Sequence, residues 1–145
     1  MPTTWMLIED EPDLYDMILA MYDMLGIGGV AFATGGDAMD WIVKAENGFE
    51  DEIPELAMVD IRLPDEDIDG VHIASRIRES KLLGNMAICM ITAYKFSPDD
   101  EKAIMKESKA DLLLYKPLPR FTELEKVLRD LVEKRQKPKS ADKKV

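Results

Sequence analysis

The sequence predicts a single doubly wound α/β domain, in which helices cover both faces of a parallel sheet. Short apolar runs typical of buried strands alternate five times with segments whose apolar residues recur every three or four positions, as on one face of a helix. The length of 145 residues suits one domain, and the 46% hydrophobic and 33% charged residues are ordinary for a globular protein. Right-handed crossovers between parallel strands are the arrangement that buries such strands on both sides.

The first strand and helix come from residues 5–25. Residues 5–8 form an apolar run, and Pro12 suits the first turn of the helix that follows. Glycines at positions 26, 28 and 29 are expected to stop this helix. Its apolar stripe consists of Leu14, Ile18, Met21 and Leu25.

Four more pairs of strand and helix follow. Residues 30–33, 56–61, 86–91 and 112–115 are predicted strands. The second helix has its apolar face at Ala38, Trp41, Ile42 and Ala45. The third helix is predicted over 71–82, the fourth over 98–108 with Ser97 as its cap, and the last ends near Arg135.

Composition excludes several classes of protein. The net charge of −10 disfavours direct binding to nucleic acid, which needs a basic face. The apolar runs are far shorter than the roughly 20 residues that cross a bilayer, and the N-terminus does not resemble a signal peptide, so we expect a cytoplasmic protein with no membrane contact. Cys89 is expected to be a small buried hydrophobic residue. Basic residues crowd the end of the chain, where 136–145 is predicted to be a solvated, disordered tail.

Polar residues that can do chemistry stand at the ends of four predicted strands. Glu9 and Asp10 follow the first strand, Asp60 ends the third, Thr92 follows the fourth, and Lys116 follows the fifth. Ligands of open parallel sheets bind beyond the carboxyl ends of the strands, so these residues are expected to share one pocket. Three carboxylates there would repel by about 4 kcal/mol per close pair, which calls for compensating cations. Lys116 and Mg²⁺, which prefers oxygen ligands, would supply them.

Asp60 is the candidate nucleophile, because an aspartate can form an acyl phosphate while a metal and Lys116 offset the charge. Thr92 would then hydrogen-bond a phosphoryl oxygen. Taken singly, each of these residues is better explained by helix capping or loop solvation. Their occurrence in this order at four strand ends is what favours a site. The lone histidine, His72, is expected on the surface.

Four motifs make residues 5–135 resemble the receiver domains of response regulators in two-component signalling. The motifs are Leu7-Ile8-Glu9-Asp10-Glu11-Pro12, Met58-Val59-Asp60-Ile61-Arg62-Leu63-Pro64, Ile91-Thr92-Ala93 and Tyr115-Lys116-Pro117. The resemblance implies a flavodoxin-like sheet of strand order 2-1-3-4-5 with five helices and a receiver domain over 1–135. Because only ten residues follow Arg135, we expect a stand-alone receiver that acts by contact.

The resemblance also implies the roles of the site residues. Asp60 would accept a phosphoryl group from a phosphohistidine on a histidine kinase or histidine phosphotransfer protein. Glu9, Asp10, Asp60 and the backbone carbonyl of Arg62 would hold Mg²⁺, and Thr92 and Lys116 would contact the phosphate. The chain would be a phosphoacceptor and no enzyme beyond self-catalysed phosphotransfer and dephosphorylation.

Output in such proteins is a conformational switch of helix 4, strand 5 and helix 5, read by a downstream protein whose identity the sequence does not reveal. The resemblance also allows a homodimer through that face. The family's switch aromatic stands three positions before the lysine, where this chain has Leu113. Either Tyr115, on the same side of the strand, replaces it, or the aromatic part of the switch is absent.

Two further features concern the rim of the site and the first helix. An acidic loop, residues 65–69, has two residues more than the family pattern and is expected either to reshape the rim and raise the demand for Mg²⁺ or to be solvated. By resemblance to the family, Arg62 and Tyr94 occupy positions that influence how fast the phosphoryl group is lost, although the sequence does not give their effect in this chain. Tyr15, Met17, Tyr22 and Met24 lie outside the stripe of the first helix and predict a docking face for a kinase.

Three other functions were weighed against this one. A phosphatase with an aspartyl phosphate would need a cap domain and a second acid at position 62, where the chain has Arg62. A flavin-binding protein would need hydroxyl and glycine residues after the first strand. A degenerate receiver that binds partners without phosphorylation remains the alternative, because Leu113 and the acidic loop depart from the family.

Overall fold

The computed structural model describes residues 3–137, and within them five strands alternate with five helices. The elements are β1 Thr4–Ile8, α1 Pro12–Met24, β2 Gly28–Phe32, α2 Gly35–Glu46, β3 Leu56–Asp60, α3 Gly70–Glu79, β4 Ala87–Thr92, α4 Pro98–Ser108, β5 Leu112–Tyr115 and α5 Phe121–Gln136. All strand pairs are parallel, and the sheet order is β2-β1-β3-β4-β5. The predicted fold class and strand order are confirmed.

Two hydrophobic clusters lie on opposite faces of the sheet. One joins alternate residues of the strands, such as Met6 and Ile8, to α2 and α3, with α4 at its border. The other joins the intervening residues, such as Trp5 and Leu7, to α1 and α5. The three inner strands β1, β3 and β4 are buried along their whole length. Burial on both faces explains why these strands have continuously apolar sequences.

The predicted cap of α4 is confirmed, and the start of α3 has a cap as well. Ser97 caps α4 by accepting a hydrogen bond from the Asp100 N–H at 3.1 Å, as predicted. Asp69 caps α3 by accepting from the His72 N–H at 2.9 Å, and the His72 ring lies exposed on that turn. All four predicted apolar residues of α2 are buried. Cys89 is also buried, as expected, and burial raises the pKa of its thiol to about 12.

Three local predictions were wrong. Gly28 and Gly29 belong to β2 instead of only ending the first helix. The missing Cβ of Gly29 lets Leu19 of α1 pack against this strand, because a Cβ there would lie 2.6 Å from Leu19 Cδ2. The helix α3 ends at Glu79, three residues early, since Ser80 has an extended backbone. Tyr22 does not belong to a docking face.

Tyr22 is fully buried in the core between α1 and the sheet. Its hydroxyl donates to the Met6 carbonyl at 3.0 Å, and its ring meets the edge of Trp5 at 5.4 Å between centroids. The side chains of Met17 and Met24 are 55% and 75% exposed. The exposed apolar surface of α1 is therefore smaller than its sequence indicated, and its large side chains are the two methionines.

The end of the chain is described up to residue 137. The helix α5 ends at Gln136, one residue inside the predicted tail of 136–145, and the tail from residue 138 lies outside the described residues. Among the residues that the structure describes, no helix is long and apolar enough to cross a membrane.

Candidate functional site

The carboxyl edge of the sheet brings the predicted site residues together. Glu9 directly follows β1, Asp60 and Thr92 are the last residues of β3 and β4, and Lys116 directly follows β5. Glu9, Asp60 and Thr92 are buried, whereas Asp10 is exposed. Parallel strands end at the same edge, so four separate chain segments contribute to one site.

Three carboxylates and one ammonium group form the centre of the site. Glu9, Asp10 and Asp60 each place one carboxylate oxygen within 4.8 Å of the others. The Lys116 Nζ lies 3.0 Å from Asp60 Oδ2 and 3.0 Å from Glu9 Oε1. One lysine thus faces three negative charges, and the excess charge favours a further cation.

Glu9 shows the imbalance most clearly. Its Oε2 accepts a hydrogen bond from the Glu11 N–H at 3.0 Å. Its Oε1 is buried and forms an ion pair with the Lys116 ammonium at 3.0 Å, and among the described residues it has no hydrogen bond of good geometry. Burial, followed by the neighbouring Asp60, raises the pKa of the Glu9 carboxyl above its ordinary value, against the opposing effects of Glu11 and Lys116. A buried oxygen in need of a partner, beside two more carboxylates, fits a hard divalent cation such as Mg²⁺.

Lys116 is held in its charged form. Burial acts to lower the pKa of its ammonium group, but the contacts with Asp60 and Glu9 outweigh burial, so the pKa lies above its ordinary value. Lys116 therefore contributes a fixed positive charge beside both acids. Its backbone N–H also donates to the Thr92 carbonyl at 2.8 Å, which ties the end of β5 to the end of β4.

Asp60 is oriented through both carboxylate oxygens. Its Oδ1 accepts from the Arg62 N–H at 3.2 Å, and its Oδ2 accepts from Lys116. The backbone beneath it is crowded, because a Cβ on Gly70 would lie 2.3 Å from the Asp60 carbonyl oxygen. Glycine at the start of α3 lets the helix approach the end of β3 this closely.

One cationic and one aromatic side chain border the site. The Arg62 guanidinium stacks on the Tyr94 ring, 4.4 Å from its centroid. Together with Asp60, Thr92 and Lys116 they line a cavity of about 290 Å³. The sequence singled out both Arg62 and Tyr94 but not their contact. The signal was the resemblance to receiver domains, in which the positions two residues after the aspartate and after the threonine have this role.

Thr92 has its hydroxyl oxygen fixed. The Tyr94 N–H donates to Thr92 Oγ1 at 3.1 Å. A hydroxyl has one proton to donate, and with its oxygen accepting from the loop that proton can be directed toward an anion in the cavity. All predicted site residues are therefore brought together at one edge.

Comparison with known proteins decides the family. A model of the response regulator receiver domain matches residues 6–129. The chain belongs to the response regulator receiver domain family. A search of the curated proteins found no match.

Solved receiver domains share the fold over nearly the whole chain. The receiver domain of a sensor histidine kinase from Pseudomonas aeruginosa, solved with a magnesium ion coordinated in its active-site cleft, is 25% identical. Its TM-score is 0.73, with 92% of this chain and 99% of that chain covered. A CheY-like response regulator receiver domain protein from Methanospirillum hungatei is 22% identical, with a TM-score of 0.74 and coverage of 94% and 98%. The BeF₃-activated receiver domain of RstA from Klebsiella pneumoniae is 20% identical, with a TM-score of 0.68 and coverage of 89% and 98%.

In this receiver domain the aromatic residue of β5 is Tyr115, at the end of the strand, and the family's switch position is Leu113. Leu113 packs against the cluster under α3 and α4. Tyr115 lies on the same side, and its hydroxyl donates to Glu101 Oε2 of α4 at 2.5 Å. The Lys95 ammonium lies 4.9 Å from the centroid of the Tyr115 ring. An aromatic residue of β5 thus contacts α4 and the loop before α4, and it stands two positions after the family's switch position.

Proposed function

We propose that the chain is a phosphoacceptor protein in which Asp60 receives a phosphoryl group from a phosphohistidine, in a Mg²⁺-dependent reaction, and that it signals to a protein partner through a conformational switch. The observation that carries the proposal is the position of Asp60. It is buried at the carboxyl edge of the sheet, 3.0 Å from the Lys116 ammonium, with the Glu9 and Asp10 carboxylates within 4.8 Å.

The transfer step uses the Asp60 carboxylate as the nucleophile. A carboxylate oxygen attacks the phosphorus, a new O–P bond forms, and the N–P bond to the donor histidine breaks. The electron pair of that bond stays on the imidazole nitrogen, so the donor leaves as a neutral imidazole after taking up a proton from solvent. Later attack of water on the same phosphorus returns the carboxylate and releases inorganic phosphate.

The acidic residues have a binding role in this reaction. Glu9, Asp10, Asp60 and the backbone carbonyl of Arg62 would hold Mg²⁺, which offsets charge on the phosphoryl oxygens when bound. The buried Glu9 oxygen that has no hydrogen-bond partner supports this assignment.

Lys116 and Thr92 have separate roles toward the phosphoryl group. Lys116 already pairs with Asp60. It can transfer this contact to a phosphoryl oxygen as negative charge moves from the Asp60 carboxylate to the phosphoryl group. Thr92 donates its hydroxyl proton to a second oxygen while its own oxygen stays in contact with Tyr94. A signal can then leave the site along the loop after β4.

The phosphodonor is proposed to dock on the groove between α1 and the chain after β5. This groove has a volume of about 580 Å³ and is lined mainly by apolar side chains, and it ends at Glu11 and Lys116 next to the site. Met24→Glu should slow phosphotransfer from a cognate phosphohistidine protein and leave phosphorylation by a small donor unchanged. Val43→Glu, at a position 51% exposed on α2, is the matched control. Equal transfer rates in both variants would exclude this groove.

The proposed function is tested by intact mass after incubation with acetyl phosphate, with and without Mg²⁺. The wild-type chain should gain one phosphoryl group in a Mg²⁺-dependent manner, and Asp60→Asn should gain none. Asp10→Asn should need a higher Mg²⁺ concentration for the same gain, because it removes one of three carboxylates.

The alternative is a degenerate receiver that binds partners without phosphorylation, favoured by Leu113 at the position of the family's switch aromatic. Absence of any mass gain, together with absence of Mg²⁺ binding by calorimetry, would select this alternative. A mass gain that persists in Asp60→Asn would instead place the phosphoacceptor elsewhere. The cytoplasmic location, the absence of nucleic-acid binding, the lack of enzymatic activity on separate substrates and a homodimer through α4, β5 and α5 stay predictions.

A further inference from the structure

The acidic side chain of Asp65 attaches the loop between β3 and α3, residues 61–69, to the start of α2. Asp65 Oδ1 accepts from the Gly35 N–H at 2.6 Å, and Oδ2 accepts from the Gly36 N–H at 3.0 Å. These are the first two residues of α2, whose amide groups have no partner inside the helix. The carboxylate also matches the positive end of the helix dipole. Asp65 therefore links two separate segments of the chain.

A second contact holds the same loop in place. Ile68 packs onto the hydrophobic cluster under α2 and α3. A Cβ on Gly35 would lie 2.6 Å from Ile68 Cγ2 and 3.2 Å from Asp65 Oδ1. The close fit of this loop on α2 thus requires glycine at position 35.

The far end of the loop is fixed next to the phosphoacceptor. The Gly70 N–H donates to the Ile61 carbonyl at 2.8 Å, which brings the two ends of the loop together. Arg62 lies inside this closed segment, and its N–H donates to Asp60 Oδ1. A shift of the loop would move the Arg62 backbone and the Asp60 carboxylate together.

We propose that Asp65 is a positioning residue, whose bonds to the Gly35 and Gly36 amides hold loop 61–69 so that Asp60 and the Arg62 carbonyl are arranged for a divalent cation. The inference rests on the proposed function. It gives the acidic loop a role other than adding charge to the rim, because the Asp65 carboxylate is directed at α2. It also explains how the loop can carry two residues more than the family pattern and remain in place.

A pair of glycine substitutions tests this inference without changing any charge. Gly35→Ala introduces the contact with Ile68, whereas a Cβ on Gly36 would meet Asp65 Oδ2 at an ordinary 3.4 Å. Both changes raise helix propensity by the same amount. Titration with MgCl₂ alone, measured by calorimetry, should show a Mg²⁺ affinity about threefold to tenfold weaker in Gly35→Ala than in the wild type, a loss no larger than that usually caused by substituting residues that support metal ligands. Gly36→Ala should remain close to wild type.

A second pair tests the side chain itself. Asp65→Ala and Glu66→Ala each remove one negative charge from the loop, and Glu66 is exposed. Loss of charge alone should weaken Mg²⁺ binding similarly in both. In Asp65→Ala alone, the Mg²⁺ affinity should fall further, by the factor seen in Gly35→Ala. Hydrogen exchange at the Gly35 and Gly36 amides should also be faster in this variant. Asp65→Asn, which presents one acceptor oxygen, should give an intermediate result.

The outcomes separate this inference from the proposed function. Faster exchange at residues 35 and 36 with Mg²⁺ affinity equal to that of Glu66→Ala would overturn it, since the contact would then only hold the loop. Equal affinities in Gly35→Ala and Gly36→Ala would overturn it as well. Failure of the wild-type chain to bind Mg²⁺ would reject the proposed function and this inference together, whereas the results above reject the inference alone.

Discussion

The charges inside the acidic site oppose the stability of the protein. Asp60 and Glu9 are buried beside each other with one shared lysine, and the pKa of Glu9 is raised by its burial and by Asp60. Two buried carboxylates cost free energy that one ammonium group offsets only in part. The arrangement that suits a divalent cation and a phosphoryl group is therefore unfavourable without them.

Asp60→Asn is expected to stabilise the fold when Mg²⁺ is absent. Removing one carboxylate relieves repulsion with Glu9 and Asp10 and weakens the contact with Lys116, for a net gain of roughly 1 kcal/mol in the free energy of unfolding. Saturating MgCl₂ should stabilise the wild type and have little effect on the variant. Urea unfolding measures both. Asp67→Asn, on the exposed part of the loop, is the control for charge, and an equal gain there would contradict the local cause.

The stacked pair Arg62 and Tyr94 is expected to set the lifetime of the phosphorylated state. The pair lines one side of the cavity at Asp60, where it is expected to limit the approach of water. Arg62→Ala removes a contact of about 0.5–1 kcal/mol, which corresponds to about twofold to fivefold faster loss of the phosphoryl group. Decay of the phosphorylated mass after removal of the donor measures this rate.

Arg129→Ala is the matched control for that experiment. Arg129 stacks on Trp5, 5.9 Å from the ring centroid, far along α5 from the site. Its removal should leave the decay rate unchanged. A decay rate in Arg62→Ala no faster than in Arg129→Ala would show that the stack does not restrict water.

At the scale of elements, a buried arginine joins the helices to the end of the sheet opposite the site. Arg78, in the last turn of α3, donates to the carbonyls of Lys109, Gly84 and Met86 and to Asp111 Oδ2. Its side chain is 7% exposed. The Asp111 carboxylate also accepts from the Ile88 N–H of β4 at 2.8 Å. Arg78 therefore connects helix α3, strand β4 and the start of β5, and it shares the Asp111 carboxylate with Arg135 of α5.

Arg78→Met should destabilise the protein by about 2–3 kcal/mol, because three carbonyls lose the guanidinium as a donor, whereas the Asp111 carboxylate keeps Arg135 and the Ile88 N–H as partners. Lys134→Met removes a surface pair with Asp130 and should cost less than about 1 kcal/mol. Urea unfolding followed by circular dichroism compares the two. A cost below that of a surface pair would mean that water replaces the guanidinium.

The order and type of the elements could be predicted from the sequence, since burial on one face or on both leaves a periodic pattern. The strand β5 and the helix α4 were placed with their observed bounds. The errors occur where tertiary contacts override local signals. Gly29 reads as a helix stop, yet it allows α1 to pack on β2, and Tyr22 reads as surface, yet it is buried against the Met6 carbonyl. Neither contact can be predicted from the residues nearby in the sequence.

At the scale of the whole molecule, the site could be predicted because topology alone brings four strand ends together. Glu9, Asp60, Thr92 and Lys116 lie far apart in sequence but share one edge of a parallel sheet. The contacts between loops could not be predicted. The bond from Asp65 to α2 depends on how a loop folds back across the molecule, and no periodic pattern records such a contact.

The contacts that could connect the site to α4 are the last feature of the whole molecule. Thr92 and Tyr115 are neighbours across β4 and β5, and the loop after Thr92 carries Lys95, which stacks on the Tyr115 ring. The Tyr115 hydroxyl in turn bonds Glu101 in the first turns of α4. A shift of Thr92 toward a phosphoryl group would therefore move a loop that contacts both β5 and α4.

Tyr115→Phe is expected to uncouple α4 from the site while leaving phosphorylation intact. The variant keeps the ring under Lys95 and loses the bond to Glu101, so the loop can still move but α4 is no longer tied to it. Hydrogen exchange across residues 98–108 should change on phosphorylation of the wild type by roughly fivefold or more, the usual lower bound of allosteric coupling, and much less in the variant. Leu113→Met, which conserves volume at the family's switch position, should behave as wild type. An unchanged α4 response in Tyr115→Phe with a lost response in Leu113→Met would place the route through residue 113, because only a packing route would then connect β5 to α4.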